Sequence, residues 1–422
     1  MPTTTDGKIA RGLEESAVDE SKPWTRAFSH PLADYYLLLS CSGLLLVLGV
    51  IMVLSSSSAY AAANMNDSYY FFIRQLAFLI AGVFALWWLS RRGERFLELL
   101  GWAVLIGSLV AQFAVLVTPL GVPPSGISSK GNRNWLYLGP LSMQPAEFAK
   151  LGLIMWAAGV LANRDKTLQD PKKLFLPYLL GFGIVLGMVL AGGDLGTAVI
   201  IVAIMIAMLW FVGAPGWSLA AIIGLAGAGA LGMVVTSANR MARVKAFLSG
   251  SGVSSDQPLH ALYALASGGW WGVGLGRSRM KWGGLYDGVL NDYVFSVLGE
   301  EMGLVGTLTL IVLFLVFGIA GVRIALRSTK TFWRLSAAGI TAWFLVQACT
   351  NIAVAMKLLP VMGVPLPFIS YGGSSLLANL MGVGVLLAAA RHEPAARRAL
   401  RRQHLPAGEP VRVTAVVDRK VR

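Results

Sequence analysis

Ten long apolar runs dominate this sequence and constrain its fold more than any other feature. Most are roughly 17–25 residues long, and a helix needs about 20 apolar residues to cross the hydrocarbon core of a membrane. Only 13% of the residues are charged, compared with about 25% in soluble domains. The sequence therefore predicts an all-α polytopic membrane protein with ten transmembrane helices, at about residues 35–54, 71–90, 99–118, 146–162, 174–192, 194–213, 217–236, 293–322, 334–357 and 367–390.

The chain has a formal net charge of +14. In a soluble protein such an excess would suggest binding to nucleic acid. Here much of it lies in short loops and tails beside the spans, where membrane orientation and anionic lipid headgroups explain it, so we expect no nucleic-acid partner. The two cysteines, Cys41 and Cys349, both lie in apolar runs and imply no disulfide framework.

Positive charge also predicts the orientation, because cytoplasmic loops are enriched in Lys and Arg. With ten spans, the basic loops and both tails fall on one side, which we assign to the cytoplasm. Residues 1–34 lack a signal-peptide pattern and are expected to form a disordered cytoplasmic tail. Residues 35–392 then form the membrane domain, and residues 393–422 a basic cytoplasmic tail. The basic residues behind this assignment are Arg91, Arg92, Arg95, Arg164, Lys166, Lys172, Lys173, Arg323, Arg327, Lys330, Arg334, Arg391, Arg397, Arg398, Arg401 and Arg402.

A long loop, residues 237–292, separates the seventh and eighth spans and faces outside in this orientation. Its positive charge opposes the positive-inside trend. The loop returns to the membrane at a carboxylate, Asp292. Together these features suggest chemistry on an anionic, membrane-bound substrate. Its glycines between residues 268 and 276 permit positive φ or close backbone approach. A nucleotide-binding interpretation is weak because no strand precedes them. The basic residues are Arg240, Arg243, Lys245, Arg277, Arg279 and Lys281.

Three shorter motifs lie at the outer ends of other spans. Glu147 and Lys150 share a helix face, and they form either a structural ion pair or a polar wall of a substrate cavity. Asp194 is best explained as the N-cap of the sixth helix. Residues 366–375 contain a proline and two glycines, so they either expose backbone groups to a cavity or form a structural helix entry.

Five segments together resemble the SEDS family of cell-wall synthesis proteins, and the resemblance covers about residues 35–392. The order and spacing of the segments make it specific. It implies a ten-helix protein of the bacterial cytoplasmic membrane that polymerises lipid II, an undecaprenyl-pyrophosphate disaccharide-pentapeptide, into β-1,4 glycan strands. It also implies partners, namely a class B penicillin-binding protein transpeptidase and other divisome membrane proteins. The segments are QPAEFAK (144–150), DLGT (194–197), SGGWWGVGLG (267–276), NDYVFSVLGEE (291–301) and SYGGSS (370–375).

Within the family, the chain is more similar to the cell-division branch, which implies a role at the septum. The serines at 55–58, the pair at 291–292 and the exit at 390–394 carry this likeness. The SYGGSS segment is shared with the elongation branch. Residues 286–290 lack the proline and histidine that the family usually places before its aspartate, which puts in doubt any role for a histidine beside the base.

Polymerisation of lipid II inverts the anomeric centre, so it needs a general base for the attacking hydroxyl and stabilisation of the departing pyrophosphate. The resemblance makes Asp292 the base, although by itself it could cap the following helix. A divalent cation, Mg²⁺ or Mn²⁺, would help to neutralise the leaving group, but no ligand cluster predicts a tight metal site. Substrate contacts are predicted at Arg240, Arg243, Arg277 and Lys281 for the pyrophosphates, and at Asn132, Arg133, Gln144, Glu147, Lys150, Ser370 and Ser374.

Other functions stay open at this point. A lipid II flippase would use the same basic cavity but would need no base. A divisome scaffold would need neither, and the many polar residues at the outer face argue against it. An elongation-type polymerase would share the chemistry and differ in its place in the cell.

Overall fold

The computed structural model describes residue 30 and residues 32–122, 133–139, 141–162, 171–249, 256–285 and 288–403. Most of the two predicted tails, together with Asn132, Arg164 and Lys166, lie outside these residues. Within them the chain forms thirteen α-helices: α1 Ala33–Met65, α2 Tyr70–Leu89, α3 Glu94–Val117, α4 Pro145–Ala162, α5 Pro171–Ala191, α6 Leu195–Val212, α7 Gly216–Val235, α8 Ala238–Ser249, α9 Asp256–Ser267, α10 Val294–Arg327, α11 Thr331–Ala355, α12 Gly373–His392 and α13 Pro394–Gln403.

Each of the ten predicted spans coincides with one of these helices, α1 to α7 and α10 to α12. In the described part of the chain, nine of them are long and apolar enough to cross a membrane. The tenth, α5, contributes a shorter apolar stretch, Pro177–Ala191. The sequence predicts that the first span ends near residue 54, but α1 continues to Met65. Alanine-rich sequence after Ser58 favours helix, and the polar serines before it are largely buried inside the bundle.

A small β-hairpin departs from the predicted all-α structure. Strands β1 Leu136–Leu138 and β2 Leu141–Met143 pair antiparallel, with Leu136 opposite Met143. The hairpin leads directly into α4. Both α4 and α12 are buried over most of their length, whereas α7 is exposed over most of its length. The centre of the bundle therefore holds the helices that carry polar motifs, and the apolar outer helices face the surroundings.

The 237–292 segment, predicted as one long loop, contains the helices α8 and α9 and a short 3₁₀ helix at Met280–Trp282. Ala261 and Ala264 of α9 are fully buried. They lie three residues apart, so they share the face that packs inward. The described parts of the segment therefore form a folded layer over one end of the bundle, which we call the outer layer.

A break in α10 receives the glycine-rich part of this layer. Gly303 has φ 65° and ψ −163°, a conformation essentially restricted to glycine. Around the break, backbone N–H groups of residues 273 and 274 donate to the carbonyls of Glu300 and Glu301 at 2.9 and 3.1 Å. A Cβ on Gly268 would lie 1.9 Å from the Gly299 carbonyl oxygen. The predicted close backbone approach is confirmed, and it explains why so many glycines occur here.

Ion pairs tie the opposite end of the bundle together, which we call the basic end. Asp34 at the start of α1 pairs with Arg323 at 3.1 Å and Arg327 at 2.8 Å. Lys330 pairs with Glu94 across the α3 and α11 starts. Asp34 is only 3% exposed, so its charge is compensated by two guanidinium groups, as burial of a carboxylate requires.

Candidate functional site

Asp292 lies on the last turn before α10, half-buried at the end opposite the basic end. The N-cap of α10 is Tyr293, whose side chain makes no capping hydrogen bond. Asp292 therefore precedes the N-cap position instead of occupying it. Its backbone N–H donates to the Gly288 carbonyl at 3.1 Å, within a tight turn that includes Val289. This turn presents the residue at the boundary between the folded outer layer and the membrane helices.

Three hydrogen bonds from two other elements hold the backbone of this turn. Asn351 of α11 donates from Nδ2 to the Asp292 carbonyl at 3.2 Å and to the Val364 carbonyl at 2.8 Å. Ser370 donates from Oγ to the Asn291 carbonyl at 2.7 Å. The Tyr371 N–H donates to the Leu290 carbonyl at 2.9 Å. The segment before α12 therefore does more than enter a helix: it fixes the position of Asp292.

The phenol of Tyr293 is subject to the electrostatic effects of both Asp292 and an arginine of α8. Tyr293 is fully buried, and the charges of Asp292 and Arg243 both act on its phenol. Asp292 and Arg243 therefore act on the same group. The Arg243 guanidinium donates one hydrogen bond, from Nη1 to the Val361 carbonyl at 3.4 Å. Its remaining N–H groups give it the capacity for a bidentate anion contact.

Arg240 lies one turn before Arg243 on α8 and is anchored to two helix ends. Its Nη2 donates to the Gly193 carbonyl at 3.0 Å and its Nη1 to the Met233 carbonyl at 3.2 Å. Arg133 is also anchored to backbone, through its N–H to the Gly192 carbonyl at 2.9 Å and through Nη1 to the Leu116 carbonyl at 3.2 Å. Both arginines therefore converge on the turn between α5 and α6.

Lys281 and Arg277 have different surroundings. Lys281 is 3% exposed, and its Nζ donates to the Gly276 carbonyl at 2.7 Å, to Ser55 Oγ at 3.2 Å and to Glu301 Oε1 at 3.2 Å. The ammonium therefore joins the outer layer to α1 and α10, and a pyrophosphate would have to displace one of these partners. Arg277 is exposed on the same layer.

Glu147 and Lys150 form a buried ion pair with additional partners. Their Oε1 and Nζ atoms are 2.8 Å apart, and both residues are 1% exposed. Lys150 also donates to Gln347 Oε1 at 2.7 Å and lies 4.8 Å from the ring centre of Trp343. Ser375 donates to Glu147 Oε2 at 3.1 Å. The pair links α4, α11 and α12, which favours the structural interpretation over a cavity wall.

Asp194 is the N-cap of α6, as predicted, and accepts from the Thr197 N–H at 2.9 Å. Its second oxygen accepts from Gln144 Nε2 at 2.9 Å and from Asn134 Nδ2 at 3.2 Å. The Gln144 N–H donates to Ser374 Oγ at 3.1 Å. Gln144 and Ser374 are therefore in contact. Ser374 is adjacent in sequence to Ser375, which donates to Glu147. Asn132 falls outside the described residues.

Two residues of this site were not predicted, Gln347 and Asn351, both in the middle of the ninth apolar run. A sequence signal existed, because polar side chains in a span usually face a partner or a cavity. Among the described residues no group of three or more His, Cys, Asp or Glu is placed to hold a metal ion. The site therefore provides the half-buried carboxylate of Asp292, whose backbone is held by hydrogen bonds. It also provides arginines that can bind an anion.

Comparison with known proteins assigns the chain to a family. The profile of the FtsW/RodA/SpoVE family, described as "Cell cycle protein", matches residues 35–395. Over 418 residues the chain is 33% identical to the probable peptidoglycan glycosyltransferase FtsW of Mycobacterium tuberculosis, covering 94% of this chain and 78% of that protein. It is 36% identical over 367 residues to stage V sporulation protein E of Bacillus subtilis, covering 84% of this chain and 96% of that one.

Solved structures agree with this assignment. The rod shape determining protein RodA of Thermus thermophilus matches with a TM-score of 0.61 at 27% identity, covering 85% of this chain and 96% of that one. A chain from a study of how a peptidoglycan synthase complex coordinates polymerization and crosslinking matches with a TM-score of 0.63 at 27% identity, covering 85% and 97%. The profile spans most of the sequence and the relatives exceed 30% identity, so the chain belongs to the FtsW/RodA/SpoVE family.

Proposed function

We propose that this protein is a peptidoglycan glycosyltransferase that polymerises lipid II into β-1,4 glycan strands during septal cell-wall synthesis. Family membership supports the activity, and the relatives named FtsW support the place in cell division. The single observation that carries the mechanism is the position of Asp292. It is half-buried, immediately precedes the N-cap residue of α10, and lies in a turn held by Asn351, Ser370 and Tyr371.

In this mechanism Asp292 accepts the proton of the acceptor GlcNAc 4-hydroxyl as that oxygen attacks the anomeric carbon of the lipid-linked MurNAc. The new C–O bond forms as the bond to the undecaprenyl pyrophosphate breaks, so the α linkage becomes β. The departing pyrophosphate takes the electron pair of the broken bond. Arg243 is our first candidate to stabilise it, because Arg243 and Asp292 both act on the Tyr293 phenol.

Arg240 is the second candidate, and Arg277 and Lys281 are weaker ones, because Arg277 is exposed and the Lys281 ammonium already has protein partners. A Mg²⁺ or Mn²⁺ ion remains part of the proposal only as a counter-ion of the pyrophosphate. The described side chains do not form a cage for such an ion, so no step of the mechanism depends on it. Titration with EDTA in the polymerisation assay tests the requirement.

The proposed topology places the basic end in the cytoplasm and Asp292 at the outer face of the cytoplasmic membrane. The arginines and lysines of the α2–α3 and α10–α11 turns support this orientation. Both termini are then cytoplasmic. Cysteine accessibility at Asp67→Cys, in the exposed α1–α2 turn, tests it: the thiol should react with a membrane-impermeant reagent from outside in intact cells.

A class B penicillin-binding protein is the proposed partner, with other divisome membrane proteins around it. Among the small residues of α10 and α11, Gly318 and Gly321 are unavailable to it, because a Cβ on either would clash with Leu345 or Thr341 of the same chain. The apolar stripe on α10 formed by Leu308, Val312, Leu315 and Ile319 is exposed instead and suits a partner span. Co-purification from native membranes tests the association.

Polymerisation of purified lipid II by wild type and by Asp292→Asn decides between the proposed enzyme and the alternatives. The substitution is nearly isosteric but removes the base, which typically costs about 10²–10⁴-fold in rate. We expect glycan strands from the wild type and almost none from the variant, with equal yields of folded protein. A flippase or a scaffold would make no strands in either sample, and equal strand synthesis in both would refute the role of Asp292.

A further inference from the structure

A cavity of about 320 Å³ lies far from Asp292, between α3, α4 and α5 near the basic end. Its lining includes Glu98 and Trp102 of α3, Trp156 and Val160 of α4, and Pro177 of α5. Glu98 lies about one turn into its helix and Trp156 about two turns before the end of its own, so the cavity is just inside the basic end. The mechanism proposed above uses none of these residues.

Glycines bring the three helices close together and leave the space between them. A Cβ on Gly101 would lie 2.7 Å from the Met155 side chain, and one on Gly181 would lie 2.1 Å from the Trp156 ring. A Cβ on Gly159 would lie 3.3 Å from the Glu98 side chain. The Trp156 ring is therefore fixed between α3 and α5. The Glu98 side chain lies opposite Gly159, which has no side chain to fill the cavity.

Two polar groups of this cavity make no hydrogen bond to a side chain that the structure describes. Trp156 is 6% exposed, and its Nε1–H has no acceptor among the described residues. The Glu98 carboxylate makes no ion pair or hydrogen bond to the side chains described outside residues 171–176, although the charges of Lys330 and Arg95 act on it, and Glu94, one turn earlier, pairs with Lys330. A buried donor without a partner costs about 1–3 kcal/mol. An ionisable residue inside a membrane helix, such as Glu98, marks a candidate functional site.

The ligand that satisfies both groups carries a cation beside a hydrogen-bond acceptor. A primary ammonium fits Glu98 and the faces of the two tryptophans, whose ring centres are 5.8 Å apart at 85°. A phosphate or ester oxygen fits the indole N–H. Trp102 is half exposed and the neighbouring Leu99 and Leu180 are exposed, so the cavity opens on an apolar surface. Acyl chains would cover that surface, which favours a membrane lipid over a soluble amine.

We propose that this cavity binds the head group of a phospholipid with a primary ammonium, a phosphatidylethanolamine, from the leaflet at the basic end. The ammonium contacts Glu98, the indole N–H of Trp156 donates to a head-group oxygen, and Arg95, three residues before Glu98 on the same helix face, contacts the phosphate. The bound lipid closes the gap between α3, α4 and α5.

The experiment is native mass spectrometry of the full-length protein in detergent, with phosphatidylethanolamine and phosphatidylglycerol of identical chains in equal amounts. We expect the wild type to retain phosphatidylethanolamine with a preference of about fivefold or more, the magnitude of one cation–π or charged contact. Glu98→Gln should remove the preference, and Gly159→Leu should remove the binding by filling the cavity. Asp67→Asn, in the exposed α1–α2 turn away from the cavity, is the control and should keep the preference.

No preference in the wild type, or a preference that Glu98→Gln leaves unchanged, would overturn the proposal. Phosphatidylcholine that binds as tightly as phosphatidylethanolamine would overturn the assignment of a primary ammonium. Glycerophosphoethanolamine has no acyl chains, so displacement of the lipid by it at equal concentration would overturn the assignment of a lipid. None of these measurements involves glycan synthesis, so their outcome is independent of the proposed polymerase activity.

Discussion

Asn351 provides the sharpest test of the idea that polymerisation needs the backbone around Asp292 to be held in place. The Asn351 side chain is 1% exposed, and its Nδ2 donates to the carbonyls of Asp292 and Val364 at 3.2 and 2.8 Å. Asn351→Leu keeps the approximate volume and removes both hydrogen bonds. The carboxylate itself remains, so any loss of activity reports on its position.

Two carbonyls lose a donor in this variant. A buried carbonyl without its partner costs about 1–3 kcal/mol, so the loss of stability for the two carbonyls should be about 2–6 kcal/mol. The effect on rate depends on how far the turn moves, and a displacement of about 1 Å in a catalytic group costs about 10²-fold. We therefore expect kcat to fall by about 10–100-fold, while the KM for lipid II changes by less than about threefold.

The assay is glycan-strand synthesis from purified lipid II, at a temperature well below the melting temperature of each protein. Thr350→Val is the matched control, because it removes a buried hydroxyl from the adjacent position of α11 and none of the contacts to the Asp292 turn. The control should keep near-normal kcat. Unchanged kcat in folded Asn351→Leu would refute the reasoning, and an equal loss in Thr350→Val would show only that α11 tolerates no change.

Three further predictions follow from the described contacts. Gly303→Ala should lower the melting temperature and the activity, because a φ of 65° and a Cβ 2.4 Å from the Gly272 nitrogen are both incompatible with alanine; such backbone strain costs about 1–3 kcal/mol. Glu147→Gln should destabilise the protein by about 3–5 kcal/mol, since it leaves the Lys150 ammonium buried without its carboxylate. Burial and the nearby Asp34 raise the pKa of Glu393 from 4.5 to about 7, against Arg327 and Arg323, so stability should fall as pH rises from about 4.5 to 7.

Between pH 4.5 and 7 the folded protein holds a proton on Glu393 that the unfolded chain has released, so the unfolded state gains stability relative to the folded state as the pH rises. Melting temperatures at pH 5 and pH 8 test it, and Glu393→Gln should flatten the difference, whereas an unchanged difference would contradict it. Gly224→Ala, at an exposed position with open space, is the control for Gly303. The exchange of Glu147 and Lys150 should recover part of the lost melting temperature; no recovery would argue against a structural pair.

The membrane helices could be predicted from the sequence because a span has to satisfy its own backbone hydrogen bonds. An apolar run of sufficient length therefore permits only one structure. The predicted bounds of α2, α4 and α7 differ from the observed bounds by one residue at most. The end of α1 was harder to predict, since the serines after residue 54 resemble a loop until their tertiary partners are known, such as Glu301 for Ser55.

The site could be predicted only in part. The Asp194 cap follows from its position at a helix start, whereas the proposed role of Asp292 rests on the family resemblance. Lys281 was grouped with the basic residues expected to bind substrate, and the sequence does not distinguish it from them. Its partners, Ser55 and Glu301, lie on α1 and α10. Only the tertiary fold brings these groups together, so a cation that anchors the outer layer and one that faces a substrate have the same appearance in the sequence.

The buried ion pair and the proposed base are joined through one short segment, residues 364–366. Gln347, which accepts from Lys150, donates to the Pro365 carbonyl at 2.9 Å. Asn351, one turn further along α11, donates to the carbonyls of Val364 and Asp292. The Leu366 N–H donates to Ser370 Oγ at 2.8 Å, and Ser370 holds the Asn291 carbonyl. A change at Glu147 can therefore displace Asp292 without either Glu147 or Lys150 contacting the substrate. This chain of contacts predicts that substitutions at Glu147, which is 1% exposed, lower kcat more than they raise KM.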